Sequence, residues 1–377
     1  VLDLKDRPRV GARSTLHDPE SAVVARCGGP FARPGAVTAR LPCCVGLGWR
    51  PETAWLIDRR PRAAFSEVIA ETVDPRRPPP ALAAAIERGL VVVSHGVGLS
   101  LGGAQPPDRA RLKRLAAVAK ALRSPLVSEH VAFARAGDTE LGHFLPVARS
   151  RAQLAVLVDH VRRVTDALPV PLALENVAAP LTWPGDELAE ADFLAELLDR
   201  TGAQLLLDVA NLHANLVNHG GDAEATLARL PLARVAYLHV AGGARIQAMW
   251  RDTHAHPIAA PALALLATVL ARTGPVPILL ERDHAFGGRA ALEAELDQLE
   301  AIAAAAPAAT PASPLAPPRA ALPAVDAPLR AAIARAQAEL VHSVLDATRP
   351  PPAGFAPLHL AETRSLLASK RTRHTHH

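Results

Sequence analysis

The sequence predicts an α/β protein, a (β/α)8 TIM barrel with an irregular N-terminal leader and a small helical C-terminal tail. Three observations carry this. Short β-branched or Leu-rich runs recur between residues 43 and 305, and each is followed by an Ala/Leu/Arg-rich helical stretch, the signature of repeated βα units. Eight such runs in roughly 260 residues match the size of a closed barrel, which needs about 250. The third is that ionisable residues gather where those runs end.

In order, the predicted strands are 43–47 (CCVGL), 64–70 (AFSEVIA), 90–95 (LVVVSH), 125–131 (PLVSEHV), 171–177 (PLALENV), 203–209 (AQLLLDV), 233–240 (ARVAYLHV) and 276–283 (VPILLERD). Residues 1–42 mix Arg, Pro and Gly with short apolar pairs, show no periodicity and read as an irregular leader. Residues 306–327 are Ala/Pro-rich and read as a linker, and 328–377 as a small helical tail with Leu329, Ile333, Leu340 and Val344 at helical spacing. So short a tail cannot hold a core alone and must dock on something.

Composition excludes several classes of function. With 49% hydrophobic and 21% charged residues the chain of 377 buries a full core, and only 7 Phe, 4 Trp and 1 Tyr argue against base-stacking platforms. The net charge of +4 is concentrated at the ends, leaving a mildly acidic body unlike a nucleic-acid groove. No run approaches a membrane span and no signal peptide is visible, so the expected location is cytoplasmic. The cysteines (Cys27, Cys43, Cys44) form no disulfide framework.

A (β/α)8 barrel builds its active site at the C-terminal mouth of its strands. The predicted strand ends offer Glu67 and Glu71, His95, Glu129 with His130, Glu175 with Asn176, Asp208, His239, and Glu281 with Asp283. Loops add Asn211, His213 and His219 from DVANLHANLVNHG (208–220), and Asp252, His254 and His256 from DTHAHPI (252–258). So many carboxylates repel one another unless cations sit between them. Nitrogen and oxygen donors without thiolates suit Fe, Mn or Zn, and the number of donors implies two or three metals sharing bridging carboxylates. Because strand neighbours face opposite sides, only one of each adjacent pair reaches the axis, and the reading favours Glu129 over His130 and Glu175 over Asn176. His17, His143, His160, His284, His342 and His359 read as surface or capping residues. The glycine-rich HGVGLSLGG (95–103) lacks the Lys of a phosphate-binding loop.

Taken together, HGVGLSLG (95–102), SEHV (128–131), LENV (174–177), DVANLHANLVNHG (208–220), LHVAGG (238–243), DTHAHPI (252–258) and LLERD (279–283) resemble the multinuclear non-heme iron-dependent oxidases, of which a methanobactin-biosynthesis oxidase is one. The resemblance spans about 44–302. It implies a barrel holding two or three iron ions, Fe(II) and Fe(III), that uses dioxygen to modify side chains, most often cysteine, of a ribosomally made precursor peptide. It also implies a separate peptide-recognition partner protein, and neither nucleic acid nor membrane as partner. Carried over residue by residue, its metal ligands fall on His95, Glu129, Glu175, Asp208, Asn211, His219, His239, Asp252, His254 and Glu281. The chain departs from the family pattern at Ala210, where a second Asn is usual, at Gly243, where a His is usual, and at Glu71-Thr72 in place of Glu-Asn. The alternatives left by the residues alone are a two- or three-metal barrel hydrolase or isomerase, and a non-catalytic scaffold.

Overall fold

A computed structural model describes residues 41–60, 62–308 and 320–374. Residues 1–40 of the leader and 309–319, half of the linker, lie outside the described residues. In chain order the strands are β1 (Val45–Gly48), β2 (Phe65–Ile69), β3 (Val91–His95), β4 (Val127–His130), β5 (Ala132–Ala136), β6 (Thr139–Pro146), β7 (Leu172–Glu175), β8 (Gln204–Asp208), β9 (Val235–Ala241), β10 (Gly243–Ile246), β11 (Met249–Asp252) and β12 (Ile278–Glu281). Eight of them close a barrel in the order β1-β12-β9-β8-β7-β4-β3-β2, with every pairing parallel. Each predicted strand overlaps one of these eight, and six contain theirs whole. The remaining strands form two antiparallel hairpins, β5–β6 and β10–β11, that the sequence reading did not anticipate.

The barrel interior is layered by the two-residue period of its strands. Phe65, Val93, Leu126, Ala173, Leu206, Tyr237 and Leu279 form a closed apolar plug. Gly46 is required there, since a Cβ would lie 2.6 Å from Phe65 O and 2.9 Å from its ring. Two residues further along the same strand faces come Glu67, His95, Ser128, Glu175, Asp208, His239 and Glu281, all buried. The plug therefore holds a polar layer at the mouth, and apolar outer faces of the same strands pack on the surrounding helices.

Helix starts follow local chemistry. Asp108 accepts from Arg111 N (2.8 Å), Ser150 from Gln153 N (3.2 Å) and Asp326 from Leu329 N (2.9 Å), each capping the helix that follows. The helices Ala327–Leu345 and Pro357–His374 pack on each other and on the mouth side of the barrel. Gln337 accepts from Ala104 N and donates to Gly102 O, fastening the first of them to the loop after β3. His160, expected at the surface, is instead fully buried at this junction. It sits on the inner face of helix Arg151–Ala167, a phase that a lone polar residue between Asp159 and Val161 conceals. Cys44 is a half-buried free thiol whose ionisation burial opposes. Among the described residues no helix is long and apolar enough to cross a membrane.

Candidate metal centre

Parallel register sets the donors side by side. Asp208 lies opposite His239, and His130 opposite Glu175. Three clusters result, each with ligand atoms within 4.8 Å of one another: His95, His130 and Glu175; Glu175, Asp208, His239 and Glu281; and Asp208, Asp252 and His254. Glu175 belongs to the first two and Asp208 to the last two, so two carboxylates link all three.

In the first cluster Glu175 Oε2 lies 3.6 Å from His95 Nε2 and 3.4 Å from His130 Nε2. In the second, His239 Nδ1 lies 3.4 Å from Glu175 Oε1 and 3.1 Å from Glu281 Oε2. In the third, His254 Nε2 meets the Asp252 carboxylate and lies 3.7 Å from Glu281 Oε2. His254 adopts a left-handed backbone (φ 53°), which turns its ring back toward the strand ends.

The outward nitrogen of each ring is already committed. His95 Nδ1 meets Ser128 Oγ (2.8 Å), His239 Nε2 meets Glu67 Oε2 (3.1 Å), His254 Nδ1 meets Asp283 Oδ2 (2.9 Å) and His130 Nδ1 faces Gly96 O (3.3 Å). These partners hold a ring proton outward, so that with a metal bound the inner nitrogen would present its lone pair among the shared carboxylates. Two of these contacts join through Tyr237, whose hydroxyl sits between the Glu67 carboxylate and Ser128 Oγ (2.8 Å). A phenol has one proton and a carboxylate only accepts, so Tyr237 donates to Glu67, Ser128 donates to Tyr237, and Ser128 Oγ accepts from His95. Burial and the Glu67 charge hold Tyr237 well above its ordinary pKa, neutral and donating.

The donor set fits divalent cations by two tests. Glu175 Oε2, His239 Nδ1 and Asp252 Oδ1 are buried and have no hydrogen-bond partner, and every cluster contains at least one of them. Burial, then the charges of Asp252, Glu175 and Glu281, push the Asp208 carboxyl well above its usual range. Burial opposes charge on His239 and His254, yet the surrounding carboxylates hold both well above the ordinary imidazole value, and His130 is pushed up to about 9. Negative charge in this pocket is in excess of what its hydrogen bonds satisfy.

Of the sequence-predicted ligands, the structure brings together His95, Glu175, Asp208, His239, Asp252, His254 and Glu281 in these clusters, sets Asn211 against Asp208 at the cavity wall, and places Glu129 and His219 apart from them. Glu129 faces the other side of β4, where its carboxylate accepts from Leu99 N (3.0 Å) and His130 N (2.9 Å). Asn211 donates through Nδ2 to Asp208 Oδ2 (2.9 Å) and to Asn176 O (3.0 Å), holding the Asp208 carboxylate in place. His219 lies on Ala179 O through Nε2 (2.7 Å), at the far end of helix Val209–His219. His130 takes the place expected of Glu129 because it is in phase with Leu126 and Ser128. Of the loop histidines, His213 lies against Trp250 and His256 against Thr253 Oγ1. The position of Gly243 is filled by a neighbour, since a Cβ there would lie 2.5 Å from Trp250 Nε1.

The clusters open into a cavity of about 190 Å3 bordered by Arg50, His143, Phe144, Pro180 and Trp250, with Glu362 and Leu366 on one wall. Arg50 pairs with Asp283, whose carboxyl is held far below its usual range, against burial, by His254 and Arg50.

A family model described as RiPP precursor modification enzyme MbnB/TglH/ChrH matches residues 44–304. A UPF0276 protein of Streptomyces avermitilis is 50% identical over 259 residues, 67% of this chain but only 53% of that protein, so the chain spans about half of that relative's length. A UPF0276 protein of Bordetella bronchiseptica is 38% identical over 277 residues, 72% of this chain and 96% of that protein. Among solved structures, the IolI protein with a binding zinc atom superposes with a TM-score of 0.48 at 12% identity, covering 70% of this chain and 99% of that one.

Proposed function

The chain belongs to the MbnB/TglH/ChrH family of RiPP precursor modification enzymes, and from that membership we propose that it is an iron- and dioxygen-dependent oxidase of cysteine side chains in a ribosomally made precursor peptide. The observation that carries this reading is the set of three His/carboxylate clusters sharing Glu175 and Asp208, each with a buried donor atom that no hydrogen bond satisfies. Two or three iron ions would be held by His95, His130, Glu175, Asp208, His239, Asp252, His254 and Glu281. Iron bound there would supply the redox chemistry by which dioxygen is reduced as the side chain is oxidised.

The chain's own residues do the rest. Ser128, Tyr237 and Glu67 fix the rings of His95 and His239, and Asp283 fixes His254, so that no ring must rotate to present its lone pair. Asn176 and Asn211 grip the backbone and carboxylate of Asp208. The cavity, at about 190 Å3, is smaller than the roughly 300–1,000 Å3 of sites that enclose a whole small molecule, and accords with one side chain entering from a peptide outside. A separate recognition partner would present that peptide.

The test is metal analysis of protein purified without oxygen, followed by exposure to air with a cysteine-bearing precursor peptide. Two or more irons per chain and an oxygen-dependent change in peptide mass are expected. Zinc or manganese in place of iron, or a peptide whose mass never changes, would exclude the reading.

A further inference from the structure

We propose that Glu362, on a helix outside the family-matched residues, is a positioning residue for the Asp252–His254 limb of the metal centre. The inference rests on the metal-binding part of the reading above, and on neither the iron nor the peptide.

Asp252 ends β11, the outgoing strand of the β10–β11 hairpin. A two-stranded hairpin is marginal in isolation, so something else must set where Asp252 points. From the barrel side, Asn218 accepts from Trp250 N (2.7 Å) and donates to Trp250 O (2.8 Å). From the opposite side, Glu362 takes hold of the hairpin at two places. Its Oε1 accepts from Ala248 N in the turn (3.0 Å), and its Oε2 accepts from Arg251 Nη2 (2.8 Å), one residue before Asp252. Ser365 Oγ, one turn further along the same helix, is 3.2 Å from the same guanidinium nitrogen.

The Arg251–Glu362 pair is nearly closed to solvent, with side-chain exposures of 9% and 5%. Desolvating such a pair consumes most of what its attraction gains, so its value lies in fixing one geometry more than in net stability. That geometry is the reach of Asp252 toward Asp208, with Asp252 Oδ1 buried and unpartnered. Leu366, one turn beyond Glu362, borders the same cavity, so the helix that clamps the hairpin also walls the site.

The full chain, stripped of metal, is titrated with Co(II) alone under nitrogen, and bound metal is counted after dialysis. Wild type is expected to fill two or three sites and Asp252→Ala to fill one fewer than wild type. Glu362→Ala should weaken that same site by about tenfold or more, leave the others unchanged, and add no loss on top of Asp252→Ala. Glu362→Gln, which keeps an acceptor for Ala248 N–H, should fall between wild type and Glu362→Ala. Identical isotherms for wild type and Glu362→Ala would overturn the proposal. So would equal weakening of every site with a lowered melting temperature, which would mark Glu362 as a general structural support. A wild-type chain that binds no divalent cation removes both the metal reading and this proposal, whereas cation binding without peptide oxidation removes the oxidase reading alone.

Discussion

Acidification should loosen the helix Ala327–Leu345 from the barrel through His160. The imidazole is 0% exposed. Its Nδ1 donates to Leu101 O (2.9 Å), and its Nε2, 2.8 Å from Arg330 Nη1, must accept from that guanidinium. A proton on Nε2 would replace that hydrogen bond with two facing cations, only partly offset by Asp159, which pairs with Arg330 at 2.6 Å. Burial first, and then Arg330, push the pKa down to about 4. The unfolded chain has its histidine near 6.5, so between pH 6.5 and 4 it binds the proton that the folded chain refuses. Stability from this group is therefore complete above pH 6.5, lower by about 2 kcal/mol at pH 5, and lower by about 3 kcal/mol at pH 4. Urea unfolding of wild type and His160→Gln at pH 7.5, 6 and 5 isolates this contribution, because every other titrating group is common to both. The stability difference between the two should shrink by about 2 kcal/mol from pH 7.5 to 5. A difference that stays flat, or a His160 ring that titrates near 6.5 by NMR, would refute the reasoning.

Three further outcomes are expected. His95→Ala, Asp208→Ala and His254→Ala should each fold, lose bound iron and lose turnover; wild-type iron and activity in any one of them would remove that residue from the site. His130→Ala should lose one metal equivalent by elemental analysis while Glu129→Ala keeps the full complement, and the reverse result would restore Glu129 as a ligand. Tyr237→Phe strips the hydroxyl between Glu67 and Ser128 and should cost about 1–3 kcal/mol in urea unfolding, with metal affinity reduced about 10–100-fold. An unchanged metal affinity would mean that the two histidines hold their orientation without it.

The barrel was legible because its strands are short, apolar and evenly spaced, and because the period of βα units survives a chain rich in Ala and Pro. The hairpins were not. β5–β6 alternates weakly and β10–β11 spans only Gly243 to Asp252, too little for periodicity to separate from loop. At the site, strand ends named most of the cluster, but choosing between Glu129 and His130 needed the phase of β4. That phase was present in the sequence: each apolar plug residue is followed two positions later by a polar one, as in Val93 and His95, Leu206 and Asp208, and Leu279 and Glu281. Extending the rule from Leu126 through Ser128 reaches His130. Asn211 and His219 part company because a loop motif reads as a list of donors, whereas the helix Val209–His219 keeps Asn211 beside Asp208 and carries His219 to its far end. No spacing signal could have tied Glu362 to Arg251, since the contact joins segments 111 residues apart.

The stacking of an apolar plug beneath a polar layer divides the barrel's interior between two kinds of selection. Substitutions at Phe65, Val93, Leu206 or Leu279 open voids where strands from all around the circumference meet, so they are penalised whatever reaction the chain performs. Those two positions later leave that floor intact. A lineage could therefore exchange one donor for another, or abandon a metal altogether, without relearning how to fold. In a deep mutational scan the two layers would separate on their own: expression would track the lower one, and chemistry, among variants that still express, the upper one.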